Sequence, residues 1–103
     1  MEIKDRITTK TQLNQLLIII KSILKSGGTI DLKVSINDTS KLHYKTQRQK
    51  GFIITDIFVC VGDLTGLIEH RRYNTDDLLH KLNLTLLSVL EDKQQLVVEM
   101  GVK

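Results

Sequence analysis

The hydrophobic period of this chain switches from that of a helix to that of a strand at Gly27-Gly28, and back again at Asn74. Few folds accommodate such a pattern. Thr9 followed three residues later by Gln12 forms a capping-box signature directly before an apolar-periodic run, so a helix is expected to begin after Thr9. Leu13, Leu16, Leu17, Ile19, Ile20, Ile23 and Leu24 fall on one face of that helix, opposite Asn14, Gln15, Lys21, Ser22 and Lys25. Ile18 alone among its aliphatics projects into the polar side. Beyond the two glycines, from Thr29 to Ile36, the period is two. Ile30, Leu32, Val34 and Ile36 lie on one side and Asp31, Lys33 and Ser35 on the other, the pattern of a strand half-buried against a helix.

Asn37-Asp38 marks a turn, and Lys41 to Thr46 reads as a short second strand with Leu42 and Tyr44 inward. The polar segment Gln47 to Gly51 is expected to be a hairpin tip. Phe52 to Val61 is apolar on both faces apart from Thr55 and Asp56, which suits a central strand with a bulge near Asp56. Gly62-Asp63 supplies the next turn, and Leu64 to Tyr73 a fourth strand with a charged end. Asn74-Thr75-Asp76-Asp77 starts a second helix, with its acids at the positive end of the helix dipole. Leu78, Leu79, Leu82, Leu86, Val89 and Leu90 form its buried stripe, and Leu84 and Leu87 stand outside that stripe. Residues 95–103 extend this helix or form a short last strand through Leu96 to Met100. The expected class is therefore α+β: an N-terminal helix, a four-stranded, mostly antiparallel meander and a C-terminal helix, in one domain spanning residues 1–103.

Composition supports a packed core without extensive aromatic stacking. Of 103 residues, 41% are hydrophobic and 26% charged, but only 4% are aromatic and none is Trp. Cys60 is the single cysteine, so no intrachain disulfide is available. No apolar run approaches membrane-spanning length, and Met-Glu-Ile-Lys-Asp-Arg does not resemble a secretory signal. A cytoplasmic location without membrane association is the expectation.

Catalytic chemistry finds little support. His43, His70 and His80 fall on three different elements, and none is spaced from another His or from Cys60 as metal ligands are. Asp76 and His80 are four apart on a helix and read as a surface pair. Glu69 and His70 should point to opposite faces of a strand. Cys60, flanked by Val59 and Val61, reads as a small buried hydrophobe. Gly62-Asp63-Leu64-Thr65-Gly66 lacks the Lys-Ser/Thr ending of a phosphate loop. No enzyme, cofactor, metal or small-molecule substrate is expected.

Two surfaces remain. Lys41, Lys45, Arg48 and Lys50, interleaved with His43 and Tyr44, lie in a ten-residue stretch without an acid. With His70, Arg71 and Arg72 they could follow a phosphate backbone, and Tyr44 and Tyr73 could each stack a base. Ile18, Leu84 and Leu87 suggest instead a protein partner or a homodimer covering the helices, unless the C-terminal segment folds back over them. The leading expectation is a non-enzymatic binding module acting through a protein partner, as an inhibitor or accessory subunit, a nucleic-acid-processing complex being one candidate assembly. Direct nucleic-acid binding is the alternative.

Overall fold

The computed structural model describes residues 2–103. The elements run β1 (Glu2–Ile7), α1 (Lys10–Lys25), β2 (Ile30–Ser35), β3 (Ser40–Gln49), β4 (Phe52–Val61), β5 (Leu64–Tyr73), α2 (Thr75–Lys93) and β6 (Leu96–Val102). All six strands join one antiparallel sheet in the order β1-β6-β2-β3-β4-β5. The α+β class and both helices match the sequence reading. A strand, however, precedes the first helix, and the sheet has six strands where four and a possible short last one were expected. The last segment is a strand inserted between β1 and β2, so it cannot fold back over the outer surface of α2.

Local chemistry sets the helix ends. The Thr9 hydroxyl accepts from the Gln12 amide while the Gln12 side chain accepts from the Thr9 amide, completing the capping box. At the other end Gly28 N–H donates to Ile23 C=O at 2.9 Å and Gly27 N–H to Leu24 C=O at 3.3 Å. That pairing is a Schellman motif, and Gly27, at φ +92°, occupies its left-handed position. Asn74 caps α2 by accepting from Asp77 N–H, and Gln94 ends it in the left-handed region.

The helices lie antiparallel on one face of the sheet. Lys10 at the start of α1 meets Glu91 near the end of α2 at 3.7 Å, and Lys25 meets Asp76 at 3.9 Å. Leu13, Leu16, Ile20 and Leu24 of α1, with Leu78, Leu82, Leu86 and Leu90 of α2, close over Ile30, Leu32, Val34, Val98 and Met100. Burying each such side chain contributes about 1.5–3 kcal/mol. Six strands spaced about 4.8 Å apart span about 24 Å. Two helices, each about 10 Å across, cover only part of that width. The shortfall falls on the two edge strands, β1 with Ile7 alone buried and β5 with Tyr73 alone.

The opposite face of the sheet carries no helix and is open. Alternation along the strands puts Lys41, His43, Lys45, Phe52, Phe58 and Cys60 there. The expected long tip at Gln47 to Gly51 is shorter in the structure. Pairing continues to Gln49↔Phe52, and only Lys50 and Gly51 turn, both at positive φ as a two-residue hairpin requires. The irregularity expected near Asp56 lies one step on, between Ile57 and Phe58, and its extra residue is Ile68 on β5.

Candidate functional site

The residues expected to bind distribute over three surfaces. On α2, Leu87 is half-buried and packs against the core, so it is not a free docking residue. Leu84 is 56% exposed and Ile18 of α1 66% exposed. Ile19, assigned by periodicity to the buried face, is also exposed. Two shallow grooves flank α2. One, of about 550 Å³, lies between the helices and is lined by Leu17, Ile18, Lys21, Leu79 and His80, among others. The second, of about 410 Å³, lies between α2 and β5 and is lined by Arg71, Arg72, Tyr73, His80, Lys81 and Leu84, among others. His80 borders both, so the exposed ridge of α2 separates an apolar groove from a basic one. Asp76, expected beside His80, pairs with Lys25 instead.

A half-buried polar contact fixes the wall of the second groove. Tyr73 O–H donates to Glu69 Oε2 at 2.6 Å and Lys81 Nζ donates to Glu69 Oε1 at 3.1 Å. Desolvation works to raise the Glu69 pKa, but the bonds from Tyr73 and Lys81 outweigh it and hold the carboxyl below its ordinary value. The Glu69 bond, against the desolvation penalty, holds the Lys81 ammonium above its usual range. Burial, then the Glu69 carboxylate, pushes the Tyr73 phenol up. These three groups tie β5 to α2 and leave Arg71 outside, its guanidinium 5.4 Å from the Tyr73 ring centre.

The open sheet face receives part of the expected basic patch. Lys41, Lys45, His70 and Arg72 point there, whereas Arg48 and Arg71 fall on the helix side and Lys50 sits in the turn. Acids from other strands intervene. Lys45 stands directly between Asp31 of β2 and Asp56 of β4, and Asp56 is in turn opposite His70. His43 pairs with Asp31 and His70 with Asp56. Tyr44 and Tyr73, expected as stacking platforms, are both buried, so neither offers a face to a base. Burial also raises the Tyr44 pKa. The available rings are Phe52 and Phe58, a signal obscured in the sequence by the apolar run around them. Arg72 lies 5.2 Å from the Phe52 ring centre and Lys45 5.9 Å from that of Phe58.

Each histidine–carboxylate pair, His43 with Asp31 and His70 with Asp56, resembles the base half of a catalytic dyad. Cys60, expected to be buried, is half-buried on the open face and accepts from the Thr65 hydroxyl at 3.8 Å. Glu69 and His70 do point to opposite faces, Glu69 toward Lys81 and His70 toward Asp56. Among the described residues no cluster of three or more His, Cys, Asp or Glu side chains is arranged to hold a metal ion, and no helix is long and apolar enough to cross a membrane. No protein-family model, curated protein or solved structure matches the chain.

Proposed function

We propose that this chain is a non-enzymatic binding module acting through a protein partner, as an inhibitor or accessory subunit, and that an amphipathic helix of that partner docks along the outer surface of α1 and α2. The observation that carries this reading is the exposure of Ile18 and Leu84, one in each groove beside the α2 ridge. An antiparallel helix pair presents ridges and grooves that a third helix can fill. Lys21 and Asp76 on one flank and Arg71 on the other supply charges for the rim, where such residues favour correct orientation over raw affinity. The test is recovery of the tagged chain from its native cell, with nuclease added to half the sample. A protein that survives nuclease and is lost with Ile18→Glu, Leu84→Glu supports the reading; one retained by that folded variant refutes it.

A second reading, direct nucleic-acid binding, draws on Lys41, Lys45 and Arg72 beside Phe52 and Phe58 on the open face. An exposed Phe52 and a half-buried Phe58 beside cations on an antiparallel sheet suit single strands better than duplex. It requires binding that weakens steeply with salt and on neutralising Lys45 and Arg72. Binding unaffected by either change would remove this alternative.

A further inference from the structure

The two edges of the sheet are built differently. β1 carries Glu2, Lys4, Asp5 and Arg6 in six residues, charges of the kind that discourage another strand from pairing. β5, at the other edge, is ten residues long and exposes Leu64 at 76%, Leu67 at 55% and Ile68 at 61%. Val61, across the turn, is exposed as well. A strand edge presents main-chain N–H and C=O groups, so the occupant that suits it best is another strand. Gly66, in the middle of the apolar segment, has open space where a side chain would be, so a second backbone can approach closely.

Charge along β5 selects the occupant. The strand is preceded by Asp63, is apolar from Leu64 to Ile68 apart from Thr65 and Gly66, and ends in His70-Arg71-Arg72. Glu69 is held inward by Tyr73 and Lys81 and contributes little to the edge. Two copies set antiparallel about the middle of this strand bring the acidic start of one beside the basic end of the other, with the apolar segments between. Parallel pairing would place arginine against arginine. A two-fold axis generates the antiparallel arrangement and makes the surface self-complementary. The bulge at Ile68 twists the edge, but it also places an isoleucine where a protected edge would carry a charge.

We infer that the chain self-associates as a two-fold dimer through β5, joining two six-stranded sheets edge to edge around Gly66 and Leu67. The apolar segment Leu64 to Ile68 lines neither helix groove, and only the basic end of β5, from Arg71 to Tyr73, is shared with the groove beside α2. The experiment is sedimentation velocity of the full chain across a dilution series, with three variants. The parent should sediment as a dimer at micromolar concentration. Leu64→Lys with Ile68→Lys should keep its circular dichroism spectrum and raise the dimer dissociation constant by about a hundredfold or more. Leu84→Glu should leave the dimer intact. In a Cys60→Ser background, Leu67→Cys should cross-link to itself under mild oxidation, and this readout decides the matter if the double lysine variant fails to fold. A parent that is monomeric throughout the series, or a dimer dissociated by Leu84→Glu and not by the β5 substitutions, overturns the inference.

Discussion

Thr46 of β3 and Thr55 of β4 stand directly opposite each other, both buried, and only one of them finds a hydrogen-bond partner. The Thr46 hydroxyl accepts from Ile30 N–H at 2.8 Å and donates to Ile30 C=O at 2.9 Å, completing the start of β2 with a side chain. The Thr55 hydroxyl has no partner among the described residues. Replacing each by valine should therefore have opposite consequences. Thr46→Val orphans a buried donor and acceptor and should cost roughly 1–3 kcal/mol. Thr55→Val should be neutral or stabilising by up to about 1 kcal/mol, because it removes an unsatisfied group at nearly constant volume. Urea denaturation of both variants measures the difference.

The Schellman turn after α1 gives a second expectation. Gly27 adopts φ +92° with open space around its α-carbon, so Gly27→Ala meets backbone strain and no clash. Its cost should be about 1 kcal/mol. Gly28→Ala should cost more, since the added methyl would lie 2.9 Å from Ile23 Cγ2 and 3.1 Å from the Ile23 carbonyl oxygen. Thermal unfolding of the two single variants should rank them in that order. Equal stabilities would show that the turn relaxes around the new side chain.

The Glu69, Tyr73 and Lys81 cluster predicts how stability follows pH. Glu69 is held below its ordinary pKa, so its contribution is complete above the unfolded value of 4.5 and is lost as pH falls through the lower folded value. Lys81 and Tyr73 are shifted upward from 10.5 and 10.0, so their contributions are complete below those values and are lost as pH rises through the folded ones. Stability from this cluster should be flat around neutrality and fall at both extremes. Glu69→Gln should remove the acid limb and reduce the alkaline one, where burial of Tyr73 still acts, measured as the denaturation midpoint against pH. A variant whose profile matches the parent's would contradict this assignment.

Much of this architecture was legible because its signals are local. Thr9 with Gln12, the paired glycines, and Asn74 before two acids specify helix ends by chemistry within a single turn. β1 was not legible. Its period-two signal rests on Ile3 and Ile7 alone, with Asp5 at the intervening position of the same face, because an edge strand needs little burial. The meaning of the basic segment was hidden for a different reason. Lys45 has no acid near it in sequence, yet Asp31 and Asp56 flank it across two strand pairings. Leu87 looked free on a helical wheel, which does not show how the sheet meets the flank of α2. Nor could the exposure of β5 be foreseen, since it follows from β6 entering between β1 and β2 and from two helices covering a sheet of six strands.

The docking reading makes Ile18 and Leu84 dispensable to the fold. Both are more than half exposed, so Ile18→Glu and Leu84→Glu should each change folding stability by no more than about 0.5 kcal/mol. A loss several times larger, measured by urea denaturation, would mean that these side chains belong to the protein's own packing.

Hydrogen exchange on the isolated partner complex tests the central claim most directly. If a partner helix lies along α1 and α2, slowed exchange should concentrate at residues 14–21 and 76–84, with the β3–β4 hairpin unchanged. Protection confined to the open face of β3 and β4, with the helices exchanging as in the free protein, would contradict it.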